Sequence, residues 1–389
     1  MLVRHLSLRD FRNYETAELP LEPGANVLFG SNGQGKTNLV EALGYLSTLG
    51  SHRVSVESAM VRQGQDSAII RARVENGEKA ILLEVQLNRT GANRAQANRS
   101  AIKSRELPRY FSSVLFAPED IMLIRGEPSG RRKFLDQLLV LRAPRMTAVM
   151  TDYERVLKQR NTLLKSARAS NGSQLGTLDI WDERLVTLGS EIIEARSTLV
   201  ADLAPEVAHA YASVAGADHS ASLGSYLSIR ALSAEDDVEP DTSSVVGDRI
   251  TADLAAEGFR AALARLRRAE LARGVTLAGP HRDDLVLHLN GLPARGYASH
   301  GESWSFALAL KLASAQLLRR ESNAGDPVLV LDDVFAELDQ SRRDRLAAAV
   351  ADFEQVLITA AVLDDVPESL FGRVVHISAG RILDDEGGR

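Results

Sequence analysis

A chain of 389 residues, 44% apolar and 25% charged, is long enough for two or three globular domains. Cysteine is absent, which excludes disulfides, thiolate zinc sites and thiol catalysis, and the eight histidines show no metal-ligand spacing. The net charge of -6 argues at first against nucleic acid, and with neither a long apolar run nor a signal-like N-terminus a cytoplasmic protein without a membrane partner is expected.

Residues 2–8 and 25–29 predict short strands. SAIIRARVE and KAILLEVQL flank Asn76-Gly77 and predict a tight hairpin. RAQANRSAI predicts one more strand, and SVLFAPED ends another. With a helix after Gly35, the first part is mixed β-structure. From Ser129 to about Arg168 apolar residues such as Phe134, Leu138, Tyr153 and Leu164 take helical spacing. After a polar break, Trp181, Leu185, Leu188, Ile192, Ala195 and Leu199 recur three and four apart. Two such helices predict an antiparallel helical arm. The basic runs RGEPSGRRK (125–133) and RAALARLRRAELAR (260–273) read by themselves as solvated helix faces. The acidic stretch at 233–248 predicts a mobile loop and holds part of the negative excess. After Thr276 the β signal returns: LVLHL, a helix over 302–320, strand VLVL, a helix over 341–353, then QVLITA and RVVHIS. The two ends are expected to form one domain, 1–115 with 274–389. A mainly helical domain, 116–273, is inserted between them.

FGSNGQGKTN fits G-x-x-x-x-G-K-[ST] and stands between an apolar strand and a helical pattern. Such a loop wraps backbone N–H groups around a phosphate at a helix N-terminus. Gly30, Ser31, Asn32, Gly33, Gln34, Gly35, Lys36, Thr37 and Asn38 are the candidate ATP-binding residues. Lys36 is expected on the β- and γ-phosphates, and Thr37 on Mg²⁺. The other reading is a glycine-rich turn with a chance Lys-Thr. In PVLVLDDVFAELDQ four apolar residues lead into Asp332 and Asp333. A buried strand-end acid is costly without a cation. The Mg²⁺ of Thr37 supplies one, so Asp332 is the expected metal-supporting acid. Asp333 and Lys36 are the candidate catalytic residues. Asp333 either activates the attacking water or only supports the metal. The two motifs lie too far apart for a compact GTPase or small kinase.

ASHGESWSFALALKLA places Ser299 and Gly301 just before an amphipathic helix. This is similar to the L-S-x-G-[QE] signature of ABC-type ATPases, with Ala298 replacing the leucine. AELD, ending at Asp339, looks like their D-loop. Thr359 ends the next strand, where that class usually carries a switch histidine.

Together LSLRDFRNYE, NVLFGSNGQGKTNLVEAL, LFAPED, RRKFLD, TLAGPHRDDL, LDDVFAELD and LITA resemble the RecF family of bacterial SMC-like ABC-type ATPases. The match runs nearly end to end and is loosest in the helical middle. The resemblance implies an α/β fold: an ABC-type P-loop ATPase head with a β-rich subdomain, plus an inserted mainly helical lever domain. It implies ATP-driven homodimers in which Ser299, Gly301 and Asp339 reach the partner's nucleotide. It also implies a weak DNA-stimulated ATPase that binds DNA at single-strand gaps. RecR, with RecO as a further candidate, is the implied partner in promoting RecA loading. Arg53, Arg62, Arg131 and Arg132 are candidate DNA contacts, each with an ordinary ion-pair role as its other reading. A transporter nucleotide-binding subunit is the competing class, but no obvious aromatic adenine-stacking residue stands shortly before the phosphate loop. A small-molecule kinase would not need the Ser299–Gly301 motif.

Overall fold

Val3, Leu6, Leu8 and Phe11 are the buried face of β1 (Leu2–Phe11); a register shift between Val3 and His5 accounts for the three-residue step to Leu6, and Asp10, at φ 51°, lies within the step from Leu8 to Phe11. The computed structural model describes residues 1–54, 56–77, 79–169, 175–216, 219–231, 245–322 and 325–383. They fall into two compact units. One comprises Met1–Ile121, His209–His219 and His300–Arg389, the other Met122–Ala208 and Ser220–Ser299.

The first unit holds two sheets. In the antiparallel one, β1 lies between β2 (Tyr14–Pro20) and β4 (Ser67–Asn76). β3 (Gly24–Phe29) belongs to the second sheet. β5 (Lys79–Asn88), β6 (Arg94–Ala97) and β7 (Ser100–Ile102) continue the antiparallel sheet outward. The single strand expected in RAQANRSAI is thus two, folded at Asn98 and Arg99. Both take positive φ, 50° and 66°, as the commonest two-residue hairpin turn requires.

The second sheet adds β8 (Ser113–Phe116), and its remaining strands come late in the chain. β13 (Val328–Asp332) and β14 (Gln355–Ala360) are buried at every position, as strands of a parallel sheet covered on both faces should be. β15 (Arg373–Ser378) pairs in parallel with β3, and β16 (Arg381–Leu383) edges it antiparallel. The order is β16-β15-β3-β14-β13-β8. Helix α1 (Lys36–Thr48) is buried almost all round and shares one apolar core with both sheets.

The second unit is helices plus a sheet. α2 (Ile121–Arg125) begins at the boundary, and α3 (Pro128–Arg142) follows. The continuous helix expected to Arg168 is broken at Ala143, whose extended backbone (φ -138°, ψ 84°) is imposed by Pro144. α4 (Met146–Ala169), α5 (Leu178–Ala215) and α6 (Ala252–Arg273) supply most of its core. α6 starts on the Thr251 side chain and stops at left-handed Gly274. The expected two-helix arm is therefore corrected. The apolar stripes of α4 and α5 meet α6 and residues of the connecting segments, Leu227, Ile229, Ile250, Leu277 and Ala278, in one core that includes Tyr153, Ile192 and Phe259.

β9 (Ala221–Tyr226), β10 (Val245–Val246), β11 (Asp284–Leu289) and β12 (Leu292–Pro293) form the sheet of this unit. LVLHL, assigned by sequence to the head, is β11 and pairs with β9. The boundary expected at 274 thus falls after Ser299. Of the acidic stretch, 233–244 lie outside the described residues, and Val245–Val246 is strand rather than loop. Short α7 (Ala294–Tyr297) precedes α8 (His300–Glu321), and α9 (Gln340–Val350) completes the first unit. No helix among the described residues is long and apolar enough to cross a membrane.

Candidate nucleotide site

The loop after β3 is held by close approaches that only glycine permits. A Cβ on Gly30 would lie 2.2 Å from the Ile377 carbonyl oxygen. Gly35, at φ 117°, caps α1, and a Cβ there would meet the Tyr14 hydroxyl at 2.7 Å. Gln34 ties the loop to the β15–β16 turn: its Oε1 accepts from Ala379 N at 2.5 Å and its carbonyl from Gly380 N at 3.0 Å. Buried Lys36 folds back over its own loop, donating to the carbonyls of Gly30 (2.6 Å) and Ser31 (3.2 Å).

Sheet register brings the acids to this loop. β14 lies between β3 and β13, with Asp332 opposite Thr359. Thr37 Oγ1 donates to Asp332 Oδ1 at 3.0 Å, and Thr359 Oγ1 donates to the same oxygen at 2.7 Å. Asp333 N donates to Thr359 Oγ1 at 2.9 Å. Thr359 thus bridges the two aspartates through a hydroxyl that both donates and accepts. Burial pushes the Asp333 carboxyl upward and the Asp332 charge adds to this, while Lys36 opposes it.

His52 was not anticipated. Its Nε2 lies 3.6 Å from Asp332 Oδ2, and its side chain is only 16% exposed. Ser51 Oγ accepts from the backbone N–H of Arg53 and Val54 and donates to Glu41. Buried Glu41 is gripped by Arg12 through Nε (2.8 Å) and Nη2 (2.5 Å). This chain of contacts fixes the turn that carries His52. As an isolated histidine it carries no motif that would signal this place.

The residues expected to act in trans are also placed. Exposed Ser299 precedes α8. Within the first unit, a Cβ on Gly301 would come 3.1 Å from Arg342 Nη2. Asp339 caps α9, accepting from Arg342 N at 3.0 Å and Nη1 at 2.6 Å; these bonds hold its carboxyl below the usual range.

Of the arginines proposed for DNA, Arg53 donates to Asn38 Oδ1 at 2.8 Å, and Asn38 donates to Asn13. Arg62 is paired with Asp10. Arg131 is buried, forked onto Asp284 at 2.8 and 2.7 Å, and bonded to two carbonyls. Its charge is consumed within the fold, which corrects its assignment as a DNA contact. Arg132 is half-buried and donates to the Asp283 carbonyl.

Residues 2–369 match the family model described as RecF/RecN/SMC N terminal domain. The DNA replication and repair protein RecF of Clavibacter michiganensis subsp. michiganensis is 65% identical over 99% of this chain and 96% of its own. The chain belongs to the RecF family. That of Leifsonia xyli subsp. xyli is 64% identical over 99% and 100% of the two chains. A solved structure of the recombination mediator protein RecF-ATPrS in the RecFOR pathway superposes with a TM-score of 0.86 at 28% identity, covering 98% and 97%. A solved SmcHead bound to the C-winged helix domain of ScpA reaches 0.52 at 14% identity over 99% and 98%. The fold is thus α/β, with the ABC-type ATPase head that RecF and SMC proteins share.

Proposed function

We propose that this RecF-family chain is a cytoplasmic, ATP-dependent DNA-binding protein of recombinational repair. ATP joins two copies on DNA at single-strand gaps, and slow hydrolysis releases them. The observation that carries this reading is the convergence of Thr37 and Thr359 on one oxygen of Asp332, beside the phosphate loop. A hydroxyl and a carboxylate so placed suit Mg²⁺, which takes few protein ligands and keeps phosphates and waters for the rest. Thr37 and Asp332 would hold that ion, which neutralises phosphate charge when bound. Lys36 would exchange its loop carbonyls for phosphate oxygens. Asp333, one methylene shorter than glutamate, would orient the attacking water less closely, in keeping with slow turnover.

The reading also has support from the sheet order. α8 packs against edge strand β8, whereas the phosphate loop follows β3, with β14 and β13 between them. Ser299, Gly301 and Asp339 then serve a second chain's nucleotide. A solved relative is the recombination mediator protein RecF-ATP of the RecFOR pathway. By that relationship RecR, with RecO, joins this chain in promoting RecA loading. Sedimentation and DNA anisotropy with ATP and with ADP test the proposal. ATP alone should raise both the dimer fraction and DNA affinity, and Lys36→Met should abolish the response. Identical behaviour with the two nucleotides would count against it. Addition of RecR to the ATP-bound complex should slow its release from gapped DNA.

A further inference from the structure

The β6–β7 hairpin and the turn after it carry Arg94, Arg99, Lys103, Arg105 and Arg109, with Glu106 the only acid between 94 and 109. All five cations are exposed, and none makes an ion pair or side-chain hydrogen bond among the described residues. Glu106 is spent on the Lys103 backbone N–H at 3.1 Å. Arginines elsewhere in the same unit are matched with acids: Arg4 with Glu75, Arg62 with Asp10, Arg71 with Glu84.

The register sharpens the contrast. Ala95 faces Ile102, so Arg94 stands opposite Lys103 one step further out. Ala95 is buried and Ile102 packs against the core, which turns Arg94 and Lys103 to the outer face. Like charges directly opposite across an antiparallel pair are destabilising. Arg99 takes a left-handed turn position (φ 66°), where glycine is usual. Both features cost stability and gain nothing from the rest of the fold.

We infer that this hairpin edge is a contact surface for the phosphodiester backbone of DNA. The inference rests on the DNA-binding reading above and assigns it a place. Four of the five cations are arginines, whose planar fork suits phosphate oxygens. Ser100, Ser104, Gln96 and Asn98 add neutral hydrogen-bonding groups. Residues 94–109 contain no aromatic anchor of the kind that dominates protein interfaces. At roughly 3.3 Å per strand residue, Arg94 to Arg99 spans on the order of 15 Å, several phosphate repeats of one strand. Contacts of this kind position the protein without reading sequence.

The test is the full chain carrying Arg94→Gln, Arg99→Gln and Lys103→Gln together, with ATP, on a fluorescein-labelled duplex and on the same single strand across a salt series. The expected result is affinity at least about tenfold weaker near 0.1 M salt, with the log–log salt slope shallower by about 2 to 3. ATP-dependent dimerisation should persist, and the melting temperature should not fall, because like-charge repulsion has been relieved. Wild-type binding that the triple variant retains at the same slope on both probes overturns this surface alone. A wild-type chain that binds neither probe with ATP overturns both the surface and the DNA-binding reading.

Discussion

Asp333 combines three unusual conditions. Its backbone is left-handed at φ 51°, a region that aspartate tolerates better than most side chains. Its N–H is committed to Thr359, and its carboxyl is pushed upward by burial and by Asp332. Thr359, expected where ABC-type ATPases carry a switch histidine, bonds both acids through a hydroxyl that does not itself titrate. Asp333→Asn keeps the backbone bond and nearly the same shape while removing the basic oxygen. ATP binding and ATP-dependent dimerisation should persist, while single-turnover hydrolysis falls by about a hundredfold or more, the range for loss of a general base. Unchanged single-turnover rates would leave Asp333 with metal support only. Arg12, Glu41 and Ser51 act one step further out, by fixing the turn that sets His52 against Asp332.

The segment from Thr276 to Leu285 shows how an element can hide opposing titrations. Burial pushes Asp283 up to about 6, although Ser228 donates to its Oδ1 through N–H (2.8 Å) and Oγ–H (2.7 Å). Burial pushes His281, paired with the Tyr153 hydroxyl at 2.7 Å, down to about 4. Between those values the folded Asp283 holds a proton that the unfolded chain has released, so its contribution falls as pH rises. Folded His281 lacks a proton that the unfolded chain holds, so its contribution grows as pH rises. Each is about 3 kcal/mol from two pKa units, and they largely cancel. Urea unfolding over this pH window should show a shallow dependence for the native chain. Stability should rise with pH in Asp283→Asn and fall in His281→Asn. Parallel profiles for all three would refute the opposition. This segment also marks the limit of sequence reading. The phosphate loop and the Asp332–Asp333 strand end were legible because their chemistry needs contiguous residues. LVLHL announced a strand, but alternation does not say which sheet receives it, and β9 does. The two readings of Arg131, DNA contact and ion pair, could not be separated because its partner, Asp284, is distant in sequence and the pairing forms only in the folded unit. The unpaired cations of 94–109 were visible, yet their lack of partners was not.

On the scale of the whole molecule, the proposed function has one nucleotide site completed by two chains. Lys36, Thr37 and the aspartates gather at the ends of β3, β13 and β14. α8, which follows Ser299, packs on edge strand β8, and Asp339 with Arg342 lies against Gly301. Under the proposed arrangement these two groups serve one reaction from different copies. Ser299→Arg adds bulk and positive charge to an exposed position without touching the phosphate loop. Its ATP affinity should stay within about twofold, while the ATP-bound dimer weakens at least about tenfold, or about 1.4 kcal/mol. Lys36→Met should fail for the opposite reason, keeping Ser299 but losing the phosphate contact. Mixing the two inactive variants then separates the arrangements. The Ser299→Arg chain brings an intact phosphate loop and the Lys36→Met chain an intact Ser299, so a mixed dimer holds one complete site. Recovery of ATP-dependent DNA binding in the mixture, measured by anisotropy against each variant alone, is the expected outcome. A site completed within one chain predicts no recovery at any mixing ratio.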